Sequence, residues 1–145
     1  GIYANERIDD IADNVFKKSS RINSTWGGNL VDMVRSQRFL EIIEAEDLGT
    51  NTHERGEQML AGLRSIARET EAFSDVRGVG SLIAFTMETP EQRDKALGAF
   101  QERGVLALAS GESSIRFRMP LIITAAEVDG ALERIADALP LTAEA

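Results

Sequence analysis

The stretch DVRGVGSLIAFTMETP, Asp75 to Pro90, decides how this chain is read. Val76–Val79 and Leu82–Met87 are short runs rich in β-branched and apolar residues, joined around glycine, which is the pattern of two paired strands. At Thr89-Pro90-Glu91-Gln92 the pattern changes: an N-cap hydroxyl, a proline in the first turn and a glutamine at the third position start a helix. Ala96, Leu97 and Phe100 line one face of it, and Gly104 stops it. Further on, VLALAS (105–110) and SSIRFRMPLI (113–122) predict two more strands around a turn at Gly111. Thr124 and Glu127 form a second capping box, Val128, Leu132, Ile135 and Leu139 a last helical stripe, and Pro140 its end. On the other side of the opening stretch, Asn51 and Glu54 read as a capping box. The stripe Met59, Leu60, Leu63, Ile66 and Ala67 carries that helix to about Glu71. From about residue 50 the order is therefore α-β-β-α-β-β-α, predicting an α+β fold with helices on a small, mostly antiparallel sheet.

Residues 1–48 do not close into such a unit. Ile8, Ile11, Ala12 and Val15 recur at helical spacing, and Leu30, Met33, Val34, Leu40, Ile42 and Ile43 predict a long helix from Asn29 to about Asp47. The chain opens on GIYANERIDD without a methionine, and it is expected to be a fragment. Residues 1–48 would be the tail of a larger domain with a linking helix, and 49–145 a compact domain of their own.

Composition limits the chemistry. With 43% hydrophobic and 28% charged residues, 145 residues make an ordinary folded chain rather than a disordered one. A net charge of −8 opposes nucleic-acid binding. No apolar run reaches the roughly 20 residues a membrane helix needs, and the expected compartment is the cytoplasm. There is no cysteine and a single histidine, His53, so neither disulfides nor a metal site are expected. RGVGS (77–81) lacks the third glycine and the following helix of a dinucleotide fingerprint, and is a turn. His53, Asp9-Asp10 and Glu44–Glu46 read as surface positions.

Two stretches carry candidate chemistry. In INSTWGGN (22–29), the hydroxyls of Ser24 and Thr25 and the Gly27-Gly28 pair stand directly before a helix. Exposed N–H groups there suit a phosphate, while an extended N-cap with Trp26 packed as core explains the same residues. In SIRFR (114–118), Arg116 and Arg118 alternate, so both point to one face with Phe117 on the other. Two guanidiniums on one face suit a carboxylate in forked geometry, or simply a solvated surface.

DNVF (13–16), SRINSTWGGNLVDMVR (20–35), EIIEAEDL (41–48), RGVGSLIAF (77–85) and IRFRMPL (115–121) together resemble the carboxy-terminal part of the class III, pyridoxal-phosphate-dependent aminotransferases. The similarity is greatest to the branch that acts on the ε-amino group of L-lysine. It implies the small domain of a fold type I enzyme, preceded by the tail of the large domain. It implies pyridoxal 5'-phosphate as cofactor, L-lysine and 2-oxoglutarate as substrates, and a homodimer. Thr25, with Ser24 beside it, maps onto the threonine that reaches the cofactor phosphate of the partner subunit. Asn23 maps onto an asparagine of the substrate pocket, and Arg116 onto the arginine that receives the substrate carboxylate. The Schiff-base lysine of the family lies upstream of the position matching Gly1, and Lys17, Lys18 and Lys95 are not in its place. The resemblance thus gives this chain no catalytic residue and predicts that it is inactive alone. Met119-Pro120 and Ala109-Ser110-Gly111 depart from the Pro-Pro and Pro-Ala-Gly usual in the family. Enzymes acting on ornithine, acetylornithine or 4-aminobutyrate are alternatives, and so is a free-standing α+β ligand-binding or dimerisation module.

Overall fold

The computed structural model describes residues 4–18, 21–22 and 25–139. The chain divides into two compact units, Gly1–Ile42 and Ile43–Ala145.

In the first unit a 3-10 helix, Glu6–Asp10, stands where apolar spacing suggested an α-helix. The physical reason lies in Asn14, the buried polar residue. Its amide nitrogen donates to the carbonyls of Ile8 and Ile11 at 2.9 and 3.0 Å. Its amide oxygen accepts from the N–H groups of Phe16 and Lys17 at 2.9 and 3.1 Å. One carboxamide thus uses its full bonding capacity to hold a loop, in competition with helical bonds. Helix α1, Leu30–Ala45, follows and buries none of its residues.

The second unit begins with α2, Leu48–Thr70, then β1, Ser74–Val79, and β2, Leu82–Thr86. Helix α3, Pro90–Glu102, leads to β3, Leu108–Ser110, β4, Ser114–Arg118, and α4, Ala125–Ala138. The four strands form one antiparallel sheet in the order β1-β2-β4-β3. The α+β expectation and its element order hold. Both downstream capping boxes are present: the Thr89 and Thr124 hydroxyls accept from the N–H groups of Gln92 and Glu127, whose side chains bond back. Helix α4 stops at Ala138; Pro140 lies outside the described residues.

Alternation along the strands places Ile83, Phe85, Ile115 and Phe117 on one face, all buried. They pack with Met59, Leu63, Phe100, Val128 and Ile135 from the helices. Phe85 sits at the centre, with ring centroids of Phe73, Phe117 and Phe100 at 4.1, 6.0 and 6.4 Å. Helix α2 crosses the β1–β2 turn at a glycine: a Cβ on Gly56 would lie 2.4 Å from the carbonyl oxygen of Gly80. Any side chain there would push the helix off the turn.

One expected cap is overturned. Helix α2 starts at Leu48, with Asp47 before it in the left-handed region, so Asn51 lies inside the helix rather than at its cap. Its amide instead donates to the carbonyls of Leu121 and Ile123 at 2.8 and 3.1 Å, some seventy residues away. Strand β1 also begins earlier than its apolar run, at Ser74, and is interrupted by a bulge between Ser74 and Arg77.

Candidate functional site

The second unit offers an exposed sheet face. Strand β4 is central, held by β2 on one side and β3 on the other. Arg116 and Arg118 lie on its exposed side and Ile115 and Phe117 on its buried side, as the alternation predicts. The strand cannot rotate without burying a guanidinium. Among the described residues neither arginine has a hydrogen-bond or ion-pair partner. Two guanidiniums on a rigid strand can receive an external carboxylate in forked geometry with little rearrangement.

The ends of that strand are fixed. Arg93 of α3 donates to the carbonyls of Gly111 and Glu112 at 3.2 and 2.7 Å, holding the β3–β4 turn. This is where Ala109-Ser110-Gly111 departs from the family pattern, and Gly111 has the positive φ of 59° that the turn needs. After the strand, the Met119 N–H bonds to Ser81, and Asn51 and Gln58 of α2 hold Leu121, Ile123 and Ala125. The Met119-Pro120 departure therefore falls in a firmly pinned segment.

The first unit carries the other candidate group, described by itself. Thr25 to Gly28 form a turn, with Gly28 at φ 75°. Asn29 caps α1: its side chain accepts from Val31 N–H at 2.9 Å and its carbonyl from Met33 N–H at 3.1 Å. Trp26 is 72% exposed, so it is not packed against the described residues. Thr25 is exposed, and among the described residues nothing bonds its hydroxyl. Asn23 and Ser24 lie outside the described residues.

Arg77 was missed by sequence reasoning, which took RGVGS only as a turn. Its guanidinium lies on the same sheet face as Arg116 and bonds Asp75, Thr86 and Ser114. The bulge in β1 breaks the alternation that would have assigned it to that face. Among the described residues no cluster of histidine, aspartate or glutamate is arranged to hold a metal. No helix of the described residues is long and apolar enough to cross a membrane.

The second unit thus presents two arginines, unpaired among the described residues, on an exposed antiparallel sheet face, and the first unit a hydroxyl- and glycine-bearing turn before a helix. A family model described as aminotransferase class-III matches residues 4–139, and the chain belongs to that family. It is 43% identical over 142 residues to the L-lysine-epsilon aminotransferase of Mycobacterium tuberculosis (strain ATCC 25618 / H37Rv), covering 97% of this chain and 32% of that protein. A solved structure of the lysine aminotransferase from M. tuberculosis superposes with a TM-score of 0.81 at 43% identity, covering 96% of this chain and 32% of that one. The acetylornithine aminotransferase of Gloeobacter violaceus is 36% identical over 126 residues, 84% of this chain and 31% of that protein. The chain spans about a third of the length of these relatives.

Proposed function

We propose that this chain is the carboxy-terminal third of an aminotransferase that moves the ε-amino group of L-lysine to 2-oxoglutarate with pyridoxal 5'-phosphate. The observation that carries the reading is Arg116, a guanidinium with no partner among the described residues, on the central strand of an exposed sheet face. The higher identity to a lysine-epsilon enzyme than to an acetylornithine enzyme supports the choice of donor.

The residues fit the cofactor's phosphate. Thr25 offers an exposed hydroxyl, Gly28 keeps the turn open, and the helix start beyond carries partial positive charge. Ser24 and Asn23 would complete the phosphate and donor contacts. When bound, the cofactor supplies the electron sink through which an amino group passes between substrates. The lysine that this chemistry needs would come from elsewhere in the subunit. Arg116 would bind the 1-carboxylate of 2-oxoglutarate with two parallel hydrogen bonds and so fix its keto carbon. The exposed apolar residues Leu30, Met33, Val34 and Leu40 of α1 support a homodimer or a covering large domain, since a face of that kind rarely stays open.

Arg116→Lys in the full-length enzyme tests the reading. Losing one charge-assisted bond of roughly 1.5–3 kcal/mol predicts a fall of about 10- to 150-fold in kcat/KM for 2-oxoglutarate. Arg118→Lys should cost less. Equal losses, or a larger one at Arg118, would refute the assignment.

A further inference from the structure

The sheet register sets Arg77, Ala84 and Arg116 in one cross-strand row on the exposed face. Only a methyl group separates the two arginines. The neighbouring row holds Thr86 opposite Ser114, their hydroxyls 3.0 Å apart. Ser114 stands two residues before Arg116 on the same face, at a Cα separation of about 7 Å. Any acceptor beside Ser114 is thus within reach of the Arg116 side chain.

Such an acceptor exists. Asp75 is the one acidic residue in the four strands. It is held at the bulge with φ 51°, a backbone conformation that aspartate tolerates but does not favour. Arg77 engages one oxygen of its carboxylate: Nη1 donates to Asp75 Oδ2 at 2.7 Å and to the Asp75 carbonyl at 2.8 Å. The same nitrogen donates to Thr86 Oγ1 at 3.0 Å, and Nη2 to Ser114 Oγ at 3.1 Å. One guanidinium therefore bonds to all three acceptor side chains, Asp75, Thr86 and Ser114, on the way to the arginine strand.

We propose that Arg77 is a positioning residue for Arg116: by occupying Asp75, Thr86 and Ser114 it keeps this sheet face free of internal competitors for the Arg116 guanidinium. The inference rests on Arg116 as the carboxylate anchor. Without Arg77, the Asp75 carboxylate loses its partner and the two hydroxyls open. Arg116 then folds back along Ser114 toward an internal anion, and a substrate carboxylate must displace it.

Steady-state kinetics of the full-length enzyme, with 2-oxoglutarate varied, test this. Arg77→Ala should raise KM for 2-oxoglutarate about 10-fold while kcat stays within about twofold, the signature of weakened ground-state binding. Adding Asp75→Asn should restore most of the loss, because the competing charge is gone and asparagine accepts the left-handed backbone at least as well as aspartate. If Arg77→Ala fails to fold, Arg77→Gln alone and with Asp75→Asn is read with the same expectation. An unchanged KM, or a double variant no better than the single, overturns the proposal and leaves Arg77 a strand tie. Arg116→Ala serves as the control. If it too leaves KM unchanged, the anchor reading itself has failed and this inference falls with it.

Discussion

Residues 43–145 and residues 1–42 hold their shape by different means. Every buried hydrophobic residue described lies in the second unit, from Leu48 to Leu139, while the only buried residue described before Ile43 is polar, Asn14. In the second unit four phenylalanines and the aliphatic stripes of three helices exclude water from one sheet face. In the first, a carboxamide and local turns fold the backbone, while Ile11, Phe16, Trp26, Leu30, Val34 and Leu40 stay exposed. One unit is a self-sufficient core. The other presents apolar surface, and under the proposed function it is completed by the rest of the enzyme.

The contrast can be broken by truncating side chains on each side of it. Phe85→Ala removes the centre of the aromatic cluster and should cost about 3–5 kcal/mol, enough to unfold the second unit in mild denaturant. Leu40→Ala on α1 should change the stability of the 145-residue chain by less than about 0.5 kcal/mol. Urea titrations of both variants decide; comparable losses would mean that α1 is packed after all.

A smaller effect sharpens how the second unit is fastened. Asn51→Ala deprives the Leu121 and Ile123 carbonyls of their donor and should cost roughly 1–2 kcal/mol. Hydrogen exchange should accelerate at the Ile123 N–H, which bonds to Pro120 within the released segment. Faster exchange confined to the start of α2 would instead restore Asn51 to the role of a helix cap.

The smallest effect is electrostatic. The Thr124 N–H and hydroxyl hold the Glu127 carboxyl below the usual glutamate range. Glu91 is lowered in the same way, by its own N–H and the Thr89 hydroxyl. A carboxylate lowered in the folded state binds fewer protons than in the unfolded chain. It stabilises at neutral pH, and the contribution fades as pH falls below the ordinary glutamate range. The stability difference between the protein and Glu127→Gln should therefore shrink steadily as the solution is acidified below the ordinary glutamate range. A difference that grows on acidification would reverse the sign.

Local chemistry made much of this legible. The Thr89 and Thr124 boxes could be read because a hydroxyl stands three residues before an amide or acid, and the structure realises both. Arg116 and Arg118 could be placed on one face because β4 pairs with β2 without a register shift and so alternates regularly. What escaped depended on partners far along the chain. Asn51 looked like a cap because its acceptors, Leu121 and Ile123, stand some seventy residues away. Arg77 was hidden by a bulge that no composition announces, and the α-helix expected around Ile8 yielded to the four bonds of Asn14. In the candidate site the arginine strand was visible at once, while its insulation from Asp75 required the register.

The irregularity of β1 bears on how the protein behaves when concentrated. A four-stranded sheet has two rims of unpaired N–H and C=O groups, and either could recruit a strand from another molecule. Here one rim is a strand of three residues, too short to template growth. The other is broken by the bulge at Asp75, whose left-handed backbone and charge twist the rim out of register with any incoming strand. The kink that sets Asp75 against Arg77 thus also guards the sheet against edge-to-edge aggregation.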